Sequence, residues 1–192
     1  MRDTERNATA TGVLVGRASA WLVTLTVLSF GGPAFGLEVG ALVDDLKLRD
    51  GKTNEEVSLP DFGQKVVTIF YTDADVADQN DALADAMRKR KLDLSRHRSF
   101  GVVNLEDSKA PNFIIRAIVK GKVEKYQTTI LNDVDRLLPR TWKIGDTNDT
   151  SVIIVIGKDR RVLYLKRGPV RGAEIDTVIH LIEGGMAAGE AP

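Results

Sequence analysis

Three aspartates that follow an apolar run are the residues whose type and spacing best suit chemistry. Asp73, Asp75 and Asp78 come shortly after residues 65–71, a β-branched segment typical of a buried strand. Carboxylates grouped there could bind Mg²⁺ or Ca²⁺, although no glycine turn or closing glutamate makes the segment a calcium loop. Aspartates before and within a first helical turn also cap it and complement its dipole. Capping is the simpler interpretation, and it requires no cofactor.

A more specific chemistry is suggested by the spacing of the first two aspartates. An apolar strand followed by Asp73-x-Asp75 resembles the first motif of haloacid-dehalogenase-like phosphatases. The resemblance implies that Asp73 is a nucleophile, that Asp75 is an acid/base and that both hold Mg²⁺. Ala77 departs from the family pattern, and the nearest downstream acidic segment, residues 132–135, is not a clear second motif. A metal-dependent hydrolase using Asp73, Asp75 and Asp78 is therefore the alternative function.

Composition excludes several other classes of activity. The 192 residues include no cysteine and two histidines, His97 and His180. Without cysteine there is no thiol catalysis, disulfide, cysteine zinc site or iron–sulfur cluster in this chain. Lysine and arginine total 27 against 27 acidic residues, so no net field attracts a nucleic acid. The basic residues 88–91 and 96–98 lack interleaved aromatic residues, and we expect no nucleic-acid partner.

The N-terminal residues have the pattern of an export signal. Arginines precede an uncharged segment whose densest apolar part is residues 21–28, and Gly31-Gly32-Pro33 then interrupts any helix. Small residues at 34 and 36 suit a signal peptidase. We predict a signal peptide over residues 1–36, cleavage after Gly36, and a periplasmic domain over residues 37–192. An uncleaved membrane anchor is the alternative, and it would be the chain's only membrane contact.

Strand-like and helix-like segments alternate along the rest of the chain. Strands are predicted at 46–49, 57–59, 65–71, 100–105, 127–131, 151–156 and 161–166, and helices at 75–91, 111–121, 134–138 and 175–185. This order predicts an α/β fold with one mixed central sheet and helices on both faces. Ile154 would then be buried in a central strand, and His180 would lie on the exposed side of the last helix.

Short motifs within this pattern resemble thioredoxin-type folds of the peroxiredoxin and periplasmic thiol-reductase kind. They are an entry segment at 39–48, Val57-Ser58-Leu59-Pro60-Asp61-Phe62, and a last hairpin at 157–162 followed by Gly168-Pro169. Lys125-Tyr126-Gln127-Thr128-Thr129-Ile130 with Asn132 and Asp133 more narrowly resembles the YtfJ family, cysteine-poor periplasmic proteins of unsettled role. The resemblance implies a thioredoxin-like three-layer sandwich.

The same resemblance implies that the redox site is absent. It places Asp75 and Asp78 where a reductase has its two cysteines, and Ser151 near the position of the cis-proline. A carboxylate cannot exchange disulfides, so thiol chemistry is excluded. Tyr71 and Trp142 are core residues in the simpler interpretation, although both fall near the face where such folds receive partners.

These patterns together predict an exported binding or protein-interaction module without thiol redox activity. Its speculative binding residues are Asp73, Asp75, Asp78, Tyr71, Trp142 and Ser151. Its partner would be a periplasmic protein or a small ligand of unknown identity.

Overall fold

A computed structural model describes residues 36–105 and 112–188, and within them it confirms the predicted alternation of strands and helices. The elements are β1 (Lys47–Asp50), β2 (Glu56–Ser58), β3 (Val66–Asp73), α1 (Asp81–Arg90), β4 (His97–Asn104), α2 (Asn112–Tyr126), β5 (Thr129–Asp133), α3 (Leu137–Trp142), β6 (Ser151–Ile156), β7 (Val162–Arg167) and α4 (Ala173–Ala187). A 3-10 turn, Ala74–Val76, lies between β3 and α1. The signal segment predicted before Gly36 lies outside the described residues.

One mixed sheet of seven strands organises this part of the chain, in the order β2-β1-β5-β4-β3-β6-β7. Strands β3, β4 and β5 are parallel, and the other pairings are antiparallel. Parallel neighbours need crossover connections, which α1 and α2 supply. The carboxyl ends of β3 and β4 therefore lie at the same edge of the sheet.

Alternating side chains on β3 separate the core into two layers. Ile69 and Tyr71 pack on one face with α3 and the segment before β1. Val66 and Phe70 pack on the other face, which α1 and α4 cover, and α2 packs on this same face over Val103 and Ile130. Helices on both faces of a mixed sheet give the predicted three-layer α/β sandwich.

The two positions predicted on β6 and α4 are confirmed. Ile154 is fully buried and pairs with Ile69 of β3 and Leu165 of β7. His180 is exposed on α4. The two-residue period of the strand and the 3.6-residue period of the helix therefore predicted the buried and exposed sides of these elements correctly.

Helix ends differ from the predictions in all four helices. Helix α2 does not stop at Gly121 but continues to Tyr126, because one glycine inside a helix costs only about 1 kcal/mol. Helix α1 begins at Asp81 rather than Asp75, because residues 74–76 form the separate 3-10 turn. Helix α3 contains Pro139 in its first turn, where a backbone N–H has no intrahelical partner to lose. Helix α4 continues through Gly185, where a Cβ would lie 2.8 Å from Leu163 Cδ1. This glycine permits close packing of α4 on β7 instead of ending the helix.

None of the helices in residues 36–105 and 112–188 combines the length and apolar character that a membrane crossing requires.

Candidate functional site

Asp73 is a buried structural acceptor at the carboxyl end of β3. One of its carboxylate oxygens, Oδ1, accepts the backbone N–H of Asp75 at 3.0 Å, and Oδ2 accepts the backbone N–H of Asp149 at 3.0 Å. The first bond caps the 3-10 turn, and the second holds the loop before β6. Capping is thus confirmed for Asp73, but the element that it caps is the 3-10 turn rather than α1.

The aspartate cluster has a different membership from the predicted set. Carboxylate oxygens of Asp73, Asp75 and Asp149 lie within 4.8 Å of one another, while Asp78 is not part of the group. Asp75 and Asp149 are exposed. The sequence pattern did not indicate Asp149, because this residue lies 76 positions from Asp73, in a polar loop without a motif. The backbone hydrogen bonds of Asp73 account for this convergence without a cation, so the cluster favours a structural role.

Ser151 connects the start of β6 to the start of α1. Its hydroxyl donates to Gln79 Oε1 at 2.8 Å and accepts from Asn80 Nδ2 at 2.5 Å. Asn80 also donates to the Gly168 carbonyl at 3.2 Å and accepts the Val170 N–H at 2.7 Å. The resemblance to thiol reductases placed Asp75 and Asp78 at the two cysteine positions, near Ser151. The side chains that bond to Ser151 are instead Gln79 and Asn80, the two residues before α1. This network fixes the entry to α1 with amide and hydroxyl groups.

Tyr71 and Trp142 are core residues, as the simpler interpretation predicted. The hydroxyl of Tyr71 donates to Asp133 Oδ2 at 3.3 Å, and Trp142 Nε1 donates to the Asp44 carbonyl at 3.0 Å. Burial, followed by the negative charge of Asp133, raises the pKa of the Tyr71 phenol above its ordinary range. Both rings pack in the layer that α3 covers, so they stabilise the fold from the inside.

A pocket of about 400 Å³ lies on the opposite face of the sheet, between α1 and α2. One stripe of α1 and one of α2 form its walls: Asn80, Asp81, Ala84, Met87, Arg88 and Lys91, with Ile118, Val119, Lys122 and Tyr126. We call this space the α1–α2 pocket. Its volume falls within the range of small-molecule sites, and its lining is mainly apolar.

Small side chains on β4 form the floor of the α1–α2 pocket. Ser99 and Gly101 lie on the face that the helices cover, whereas Phe100 and Val102 fill the opposite face. Two helices that cross a strand without large side chains leave unfilled volume beneath them. The sequence feature that could have indicated the pocket is this alternation of small and large residues on a central strand. It is not part of any motif described in the sequence analysis.

His97 belongs to the lining of the α1–α2 pocket and is 2% exposed. Its Nε2 lies 2.9 Å from Thr68 Oγ1. Burial lowers the pKa of His97 to about 4, so the imidazole is neutral near pH 7. The histidine therefore adds a polar but uncharged group to the pocket.

Solved structures show the same fold in thiol-active proteins. A Chlorobium tepidum protein assigned as the thiol:disulfide interchange protein DsbE matches with a TM-score of 0.58 and 17% identity, over 79% of this chain and 99% of that one. Peroxidoxin BcpB from Mycobacterium tuberculosis matches with a TM-score of 0.55 and 17% identity, over 77% and 97%. At these identities the likeness establishes a thioredoxin-like fold and carries no activity.

Sequence comparisons lead to proteins of unassigned role. A family model described as "Bacterial protein of unknown function (YtfJ_HI0045)" matches residues 63–184. An uncharacterized protein from Haemophilus influenzae is 24% identical over 107 residues, which span 55% of this chain and 57% of that protein. The chain therefore covers little more than half of the length of this relative.

Proposed function

We propose, since the chain belongs to the YtfJ_HI0045 family of bacterial proteins of unknown function, that it is an exported binding protein whose ligand occupies the α1–α2 pocket. The thioredoxin-like fold lacks every cysteine, so thiol–disulfide exchange has no nucleophile here. A large, mainly apolar pocket with a few polar groups is the arrangement that small-molecule sites share. The α1–α2 pocket is the observation that carries the proposal.

No comparable observation favours the hydrolase alternative. Each carboxylate oxygen of Asp73 is already bonded to a backbone N–H, and Asp78 lies outside the cluster. The proposal therefore concerns binding only, and the ligand is a small molecule rather than a protein.

Filling the α1–α2 pocket is expected to weaken ligand binding. Ala84 lies on the pocket wall, so Ala84→Phe places a ring inside it; Ala82 is exposed on the same helix and does not line the pocket. Titration with the fluorescent probe anilinonaphthalene sulfonate, an anion whose aromatic rings bind apolar surfaces, should give about tenfold weaker binding, equivalent to about 1.4 kcal/mol, for Ala84→Phe. Ala82→Phe should bind the probe like the wild type.

Two outcomes would overturn this proposal. One is a wild-type protein that does not bind the probe. The other is equal binding by Ala84→Phe and Ala82→Phe, which would place the probe elsewhere on the protein. Circular dichroism of both variants would verify that each has folded before the comparison is made.

Export is expected to leave Leu37 as the first residue of the mature protein. Leu37 is the first residue of the described chain that packs in the core, and its backbone N donates to the Lys143 carbonyl at 3.0 Å. Cleavage after Gly36 would preserve that packing. Intact-mass measurement of the periplasmic fraction checks this directly. A mass that includes residues 1–36, found in the membrane fraction, would instead indicate an uncleaved anchor.

A further inference from the structure

The α1–α2 pocket opens at the C-terminal end of α1. Its lining residues there, Arg88, Lys91 and Leu94, are exposed, and Leu94 is 73% exposed. At the other end Asn80 and Ser151 are buried. Helix α1 contains 10 residues and is about 15 Å long, and residues from its start to its end line the pocket, so the pocket extends along the helix.

The mouth carries two cations that form no ion pair with any residue in the described ranges, Arg88 and Lys91. On the α2 side, by contrast, Lys122 is paired with Asp81, and Lys125 lies 3.1 Å from Asp85. An anionic group that reached the mouth would find Arg88 and Lys91 available for charge-assisted hydrogen bonds.

The polar groups at the buried end of the α1–α2 pocket already have partners, whereas the hydroxyl of Tyr126 on the α2 wall has no hydrogen-bond partner among the described residues. Asn80 and Ser151 bond to each other and to their neighbours, and Thr128 Oγ1 donates to the Ser99 carbonyl at 2.9 Å. His97 is bonded to Thr68. Satisfied groups do not need a polar ligand atom, so the interior favours apolar surface.

We propose that the α1–α2 pocket binds a single-chain amphiphile, with its hydrocarbon chain along α1 and its anionic head group at Arg88 and Lys91. The inference rests on the proposed function and adds the chemical class of the ligand. Its basis is the apolar interior that follows α1, combined with two cations at the exposed C-terminal end of that helix that form no ion pair within the described residues. A carboxylate and a phosphate monoester share the head-group chemistry that these cations recognise.

Isothermal titration calorimetry with three ligands of equal chain length tests whether an anionic head group is preferred. It also distinguishes a carboxylate from a phosphate head group. Decanoate carries a carboxylate, decyl phosphate carries a phosphate, and decanol is neutral; their extended chains are shorter than α1, and all are used below the concentration at which they aggregate. We expect at least one anion to bind about tenfold more tightly than the alcohol, since one charge-assisted hydrogen bond is worth about that factor. The tighter of the two anions identifies the head group.

Two charge variants provide the matched comparison. Arg88→Gln combined with Lys91→Gln should remove the preference for the anion and leave binding of decanol unchanged. Lys89→Gln alters the same basic end of α1 outside the pocket lining, so it should preserve the preference.

Each remaining outcome distinguishes this inference from the proposed function. Equal affinity for all three ligands, or an unchanged preference in the double variant, would refute the head-group assignment while pocket binding stands. Failure of all three ligands to bind, with probe binding still sensitive to Ala84→Phe, would refute the amphiphile class alone. Loss of that sensitivity would refute the pocket function itself.

Discussion

Replacing Ile154 by alanine is expected to lower the free energy of unfolding by about 2–5 kcal/mol. Ile154 is fully buried in β6, between Ile69 of β3 and Leu165 of β7. A strand that is paired on both sides cannot move to close the cavity, and the chain has no disulfide to limit the loss. Urea denaturation of the purified variant measures the difference.

The exposed histidine of α4 supplies the control for this measurement. His180→Ala should change the free energy of unfolding by no more than about 0.5 kcal/mol, as is usual for exposed positions away from caps and cores. A stable Ile154→Ala protein beside a destabilised His180→Ala protein would contradict the assignment of faces in both β6 and α4.

Acidification is expected to destabilise the protein through His97. Its pKa is lowered to about 4 by burial in the folded state, while the unfolded chain has the ordinary value of 6.5. Between these values the unfolded state binds the extra proton, so the free energy of unfolding falls as the pH is lowered from about 6.5 to about 4. The full shift corresponds to about 3 kcal/mol, and none of this loss is present above about pH 7.

A pair of histidine variants isolates that contribution. His97→Gln can keep a hydrogen bond to Thr68 without a titrating group, so its stability should depend less steeply on pH in this window. His180→Gln should retain the slope of the wild type. Urea melts at several pH values compare the three proteins, and identical slopes for His97→Gln and the wild type would show that His97 is not buried as a neutral group.

The hydrophobic pattern along the chain was sufficient to predict the strands of the sheet. The start of α1 was predicted wrongly because it depends on contacts between residues far apart in the chain. The five apolar residues of β6, Val152–Ile156, predicted a buried strand, and all of them are buried, as is Ser151 at its start. The start of α1 was ambiguous because Asp75, Asp78 and Asp81 could each stand in a first turn, while Asp73 in fact caps the 3-10 turn. Asn80 precedes α1, but its side chain does not cap the helix; its amide nitrogen donates to Ser151 and to the Gly168 carbonyl.

Prediction of the candidate site was also limited by contacts between residues that are far apart in the sequence. Tyr71, Asp73 and Ser151 were recognised as unusual, yet their hydrogen-bond partners lie far away in the chain. The α1–α2 pocket depends on what two helices leave uncovered above Ser99 and Gly101, and a strand pattern alone does not specify the position of those helices. The mature N-terminus at Leu37 stays a prediction.

The segment before β1 covers the start of an edge strand. Strand β7 is at the edge of the sheet, and its first residue exchanges backbone hydrogen bonds with this segment: Gly40 N donates to the Val162 carbonyl at 2.7 Å, and Val162 N donates to the Ala41 carbonyl at 3.0 Å. An uncovered edge strand is a template for aggregation. Proteolytic trimming past Val43 would uncover these backbone groups of Val162 and lengthen the edge available for pairing, so the first residues of the folded domain limit edge-to-edge self-association.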